Sequence, residues 1–117
     1  MYKYETHCHT SPVSRCGRAS AADTVYFYRQ LGYDGIFITN HFLDGNINHE
    51  ARVLPYCDQI DYYFSDYEEG ARIGSETGLK VFPGVELSYK GSLKKTFNSS
   101  EVIKYGILPR SLTIGYC

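Results

Sequence analysis

The sequence has no tryptophan, one methionine and four prolines. It also has no long apolar run. The best stretch, Gly35 to Thr39, falls far short of the ~20 residues that a membrane-spanning helix needs. Met1 to His7 lacks the apolar segment of a secretory signal, so a cytoplasmic location and no membrane partner are expected. Neither sign of charge dominates: 12 Lys and Arg stand against 13 Asp and Glu, for a net charge of −1. A general attraction to nucleic acid is therefore not favoured, and such a partner would need a local basic patch. The four cysteines, Cys8, Cys16, Cys57 and Cys117, contain no CxxC pair. That argues against a cysteine-only zinc knuckle, and in a reducing compartment the thiols are expected to stay unpaired. No histidine follows His49, and no aspartate follows Asp66.

What remains is ordinary globular composition, 43% hydrophobic and 21% charged over 117 residues. That length bounds the chain to one domain at most. It is too short for an eight-stranded β/α barrel, which takes ~250 residues.

Tyr2 to Thr6 alternates aromatic and polar residues and reads as a strand that runs into a histidine cluster. Thr10 to Ala19 holds Pro12, Gly17 and several hydroxyl residues, and reads as an irregular loop. Ser20 with Asp23 three residues on forms a capping-box-like start to a helix. Its apolar stripe is Ala21, Val25, Tyr28 and Leu31, and Gly32 fits the C′ position. Gly35 to Thr39 reads as a buried strand, and Asn40 to Asp58 as a long polar loop. A second helix is expected over Gln59 to Thr77, with Ile60, Phe64, Tyr67, Ala71 and Gly74 on one face and Gly78 at its end. Lys80 to Glu86 reads as a third strand weakened by Pro83 and Gly84, and Glu101 to Ile107 as a fourth. Strands alternating with helices predict an α/β fold with a parallel sheet.

Three polar sites each follow a predicted strand: His7-Cys8-His9, then Asn40-His41, then Glu86. In parallel α/β sheets, functional residues gather at the carboxyl ends of the strands, so one rim can collect all three. Residues i and i+2 of an extended segment share a face. His7 and His9 can thus present two imidazoles to one metal ion while Cys8 turns to the core as a small apolar filler. Imidazole is the commonest metal ligand, and a carboxylate such as Glu86 can bridge two ions. A mixed His, Glu and Cys set suits zinc, iron or manganese better than calcium or magnesium. Taken singly, HxH arises by chance, His41 reads as a loop histidine and Glu86 as a solvated strand end. Their placement after three successive strands is what favours a metal site. His49, in the long loop, reads as a surface residue.

These residues resemble a family. Glu5-Thr6-His7-Cys8-His9-Thr10-Ser11, then Cys16-Gly17-Arg18, then Gly35-Ile36-Phe37-Ile38-Thr39-Asn40-His41-Phe42, then Phe82-Pro83-Gly84-Val85-Glu86 together resemble the PHP (polymerase and histidinol phosphatase) domain. The resemblance covers residues 1–91 in motif order and implies a partial β/α barrel, about three to four βα units of a seven-stranded barrel. Residues 92–117 form a divergent segment, as expected for a truncation or frameshift. The family hydrolyses phosphoesters with up to three divalent metal ions (zinc, manganese or iron). Its substrates are phosphorylated small molecules such as histidinol phosphate, nucleotides and nucleic-acid ends.

By that resemblance His7 and His9 bind one ion, Glu86 bridges two, and His41 binds the third. Cys16 is the nearest match to a further ligand in the loop after the first motif. Asn40 stands where the family more often has aspartate. Arg15 and Arg18 are candidates to contact substrate phosphate, against the plainer reading of a solvated loop. The family's later histidine and aspartate ligands have no counterpart here, so the expected site is incomplete. Two further readings stand beside a phosphoesterase. One is another HxH metallohydrolase, such as a TatD-type nuclease or an amidohydrolase, which lacks the His41 motif. The other is a non-catalytic remnant whose unpaired strand edges favour self-association.

Overall fold

The computed structural model describes residues 1–43 and 45–88. The expected fourth strand and the divergent segment 92–117 lie outside the described residues. Six elements follow in order: β1 (Tyr4–Cys8), α1 (Ala21–Gln30), β2 (Gly35–Ile38), α2 (His49–Arg52), α3 (Tyr56–Thr77) and β3 (Lys80–Pro83). The three strands form one parallel sheet in the order β1-β2-β3. The α/β reading with a parallel sheet therefore holds.

Local chemistry accounts for most of the boundaries. The Ser20 hydroxyl accepts from the Asp23 backbone N–H at 3.0 Å and donates to the Asp23 carboxylate at 2.9 Å, which caps α1. Gly32 takes φ +74° just after α1, and Gly78 takes φ +79° at the end of α3. Both positions need the left-handed backbone that glycine adopts freely. Leu31 is the exception in the α1 stripe: it sits at the C-cap, turned to solvent. The loop predicted over Asn40 to Asp58 is shorter than expected. α2 interrupts it, capped by Asn48, whose side chain accepts from Glu50 N–H at 3.4 Å. α3 begins at Tyr56, directly after Pro55. Proline there loses no helical hydrogen bond.

Two apolar clusters fix the layers. Ala21, Val25, Ile36, Ile38, Ile73 and Leu79 join α1 and α3 to one face of the sheet. Val13, Ile47, Ala51, Ile60, Tyr63 and Phe64 form a second cluster where the first loop and α2 meet the start of α3. α3 approaches the sheet end closely because Gly74 has no Cβ, which would collide with the Leu79 carbonyl oxygen. The other face of the sheet carries aromatics, with the Phe37 and Phe82 rings stacked at 4.8 Å. Cys8 is 7% exposed and holds a free thiol, in keeping with the filler role, and burial pushes its pKa up to about 11. Cys16 is also a free thiol. Cys57 is disulfide-bonded, which corrects the expectation of unpaired thiols at that position. No helix among the described residues is long and apolar enough to cross a membrane.

Candidate metal centre

Sheet pairing continues past the regular strands and builds the rim. Thr39 N–H donates to Cys8 C=O at 2.8 Å, and Gly84 N–H to Ile38 C=O at 2.9 Å. Beyond Pro83, which has no N–H to give, the β2–β3 ladder resumes. Glu86 N–H donates to Asn40 C=O at 3.1 Å, and Phe42 N–H to Glu86 C=O at 2.9 Å. His41 and Glu86 are therefore bridge partners across adjacent strand ends. On the β1 side, register slips between Glu5 and Cys8.

Three imidazoles converge on one carboxylate. Glu86 Oε2 lies 3.2 Å from His7 Nε2 and 2.7 Å from His9 Nε2, and Glu86 Oε1 lies 3.4 Å from His41 Nδ1. The ring centroids of His7 and His9 are 4.7 Å apart, and those of His9 and His41 4.4 Å. Cys16 joins from the loop, its Sγ 3.0 Å from His9 Nδ1. Two donor groups result, His7/His9/Glu86 and His9/Cys16/His41, each with ligand atoms within 4.8 Å of one another. All five residues singled out as ligands thus meet at one place, with His9 common to both groups.

Two observations bear on whether these residues fit a metal. His41 Nδ1 is buried and makes no hydrogen bond among the described residues, although Glu86 Oε1 lies 3.4 Å away. A buried ring nitrogen left unpaired costs ~1–3 kcal/mol, and a cation at the cluster would satisfy it. The donors are also of the right kind for a metal ion: imidazole nitrogen, thiol sulfur and carboxylate oxygen.

The His9 pKa is lowered from its ordinary 6.5, mainly by burial, with His41 and His7 acting in the same sense and Glu86 opposing. Neutral imidazole is the metal-binding form. A titration of the His9 ring protons by NMR should give a midpoint below 6.5. Because the folded value is depressed, the contribution to stability is present above the unfolded pKa and lost as pH falls through the folded one. A midpoint above 6.5 would contradict the burial.

The remaining predicted residues fall outside the cluster. His49 is exposed at the start of α2. Arg18 borders a cleft of about 500 Å³ beside the cluster, lined by Cys8, His9, Cys16, Thr24 and Tyr28 among others. Arg15 is exposed, and its backbone N–H donates to Asn46 C=O at 3.0 Å. It does not line that cleft.

Sequence reasoning missed the layer beneath the histidines. Asn40 is 1% exposed and Asp66 2%. Asn40 Oδ1 accepts from Thr10 N–H at 2.7 Å and from the Ser14 hydroxyl at 2.8 Å. The Tyr63 hydroxyl lies 2.9 Å from Asn40 C=O and 2.8 Å from Gly84 C=O, and burial pushes its pKa upward. No local pattern in the sequence marks this layer, because Thr10, Asn40 and Asp66 come from distant segments.

No family model matches the chain, and no curated protein or solved structure is significantly similar to it.

Proposed function

We propose that the chain binds divalent metal at His7, His9, His41, Glu86 and Cys16 and serves as a metal-dependent phosphoesterase domain of the PHP type. Its fold would then be part of a β/α barrel. The observation that carries this reading is the convergence of three imidazoles on Glu86, with His41 Nδ1 buried and without a hydrogen bond among the described residues. Bound there, zinc, manganese or iron would supply Lewis-acid chemistry for hydrolysis.

The chain's own residues prepare the site. Burial keeps His9 neutral and ready to ligate. Glu86 supplies negative charge to offset that of the cation. Arg18, on the edge of the adjoining cleft, is placed to pair with substrate phosphate. The cleft walls from Tyr28 and Phe27 suit the organic part of a phosphorylated small molecule or nucleotide. His41 separates this reading from other HxH metallohydrolases. It sits inside the donor cluster, so His41→Ala should reduce metal content, whereas a TatD-type or amidohydrolase site would be indifferent to it.

The test is hydrolysis of a chromogenic phosphomonoester by the chain reconstituted with zinc, manganese or iron(II). Metal-dependent turnover that falls at least about 100-fold in His9→Ala supports a phosphoesterase. Metal binding without turnover would leave a metal-binding domain and overturn the enzymatic part of the proposal.

A further inference from the structure

Asp66 is a buried carboxylate on the inner face of α3, away from the donor cluster and with no place in the reading above. Burying a carboxylate is costly unless hydrogen bonds compensate. Here three donors point at one oxygen. Oδ2 accepts from the Thr10 hydroxyl at 2.7 Å, from Val13 N–H at 3.2 Å and from Asn40 Nδ2 at 3.3 Å. An apolar side chain would fill the same space but leave these buried donors without their acceptor, so the carboxylate serves the donors and not the packing alone.

The identity of the donors suggests what the carboxylate does. Thr10 directly follows His9, and Asn40 directly precedes His41. Val13 lies in the loop that leads to Cys16. The two arms are tied again above Asp66. Asn40 Nδ2 donates to Thr10 Oγ1 at 2.9 Å, and Asn40 Oδ1 accepts from Thr10 N–H and from the Ser14 hydroxyl. Ser14 Oγ in turn accepts from the His41 backbone N–H at 3.0 Å. His9 and His41 lie on segments 32 residues apart in sequence, yet one hydrogen-bonded network spans both.

We infer that Asp66 is a positioning residue: from α3 it holds the His9 loop and the His41 segment in register through Thr10, Val13 and Asn40, without touching the metal donors. This rests on the metal-site reading, and the experiment below separates the two. Outer partners of metal ligands typically change affinity by about 10–100-fold when removed.

Cobalt(II) serves as the probe, because its visible bands report both affinity and coordination geometry. Asp66→Ala should weaken cobalt binding by about 10-fold or more and shift those bands. Asp66→Asn keeps an oxygen acceptor and should recover most of the wild-type affinity and spectrum. Val25→Ala, in the apolar cluster around α1, serves as the control for general destabilisation. It should lower the melting temperature yet leave cobalt affinity within about twofold. If Asp66→Ala does not fold, Thr10→Val removes the hydroxyl's bonds to Asp66 and Asn40 but leaves the carboxylate its bonds from Val13 and Asn40, and should give a smaller loss with the same band shift.

Wild-type affinity and spectrum in Asp66→Ala, or in Thr10→Val where the alanine variant does not fold, would overturn the inference while leaving the metal site standing. An equal loss in Val25→Ala would also overturn it. A wild-type chain that binds no cobalt would instead overturn the metal reading itself, and the positioning role with it.

Discussion

Glu86→Ala is expected to lower zinc affinity by more than the about 100-fold that marks the upper end for outer partners of a metal ligand. Among the described residues Glu86 is the only carboxylate in either donor group. Its two oxygens face all three imidazoles at 2.7 to 3.4 Å. Without it, a divalent ion would be left with three imidazoles and the Cys16 sulfur, and no carboxylate to offset its charge. The fold should survive. Glu86 joins the sheet through its backbone N–H and C=O, which alanine retains, and its side chain is one-third exposed. Glu86→Gln keeps volume and one oxygen donor but removes the charge, so it should fall between the two. Competition against a chromophoric chelator, with circular dichroism as the folding control, measures all three proteins. Affinity within twofold of wild type in Glu86→Ala would remove Glu86 from the site.

The second large effect comes from a glycine with no room for a side chain. A Cβ on Gly17 would collide with the Thr10 carbonyl carbon, and would lie 2.5 Å from its oxygen and 2.8 Å from Ser11 N. These are backbone atoms and cannot turn aside. Gly17 sits between Cys16 and Arg18, in the loop that folds back on Thr10, next to His9. Gly17→Ala should therefore cost about 3 kcal/mol, the upper end of ordinary overpacking, and should also pull Cys16 from His9. Gly32→Ala is the comparison. Gly32 has open space around it and a φ of +74°, so only the left-handed backbone is penalised, at roughly 1–2 kcal/mol. Urea denaturation gives both losses. Metal affinity should fall in Gly17→Ala and stay unchanged in Gly32→Ala. Equal stability of Gly17→Ala and wild type would mean that the loop does not close on Thr10 as described.

The elements and the histidine cluster were legible in the sequence because each carries a local signal. Ser20 and Asp23 announce the start of α1, Gly78 ends α3, and the Gly35 to Thr39 run marks β2. The meeting of His7, His9, His41 and Glu86 was legible at one remove, because parallel strands bring their carboxyl ends to a common rim. α2 was not legible. Four residues carry too little periodicity to stand out, and the Asn48 cap works only once Ile47 and Ala51 are buried against α3. The sequence places Ile60, Phe64, Tyr67, Ala71 and Gly74 on one face of α3; Ile60, Phe64 and Gly74 are buried, but so are Tyr63, Asp66, Gly70 and Ile73. A buried aspartate looks the same as a solvated one until its partners are known. Thr10, Asn40 and Asp66 come from segments 26 to 56 residues apart, and no local pattern links them. The irregular register between Glu5 and Cys8 was equally hidden, since regular alternation was the basis for placing His7 and His9 on one face.

Metal held by His7, His9, His41, Cys16 and Glu86 is read without intermediaries from the metal bound by the wild-type chain. The protein is stripped with chelator, dialysed against zinc, manganese or iron(II) in turn, and analysed for bound metal per chain beside His9→Ala. At least one tightly held ion per wild-type chain is expected, and its loss in His9→Ala, because His9 belongs to both donor groups. A wild-type chain that emerges from all three dialyses without metal would contradict that expectation.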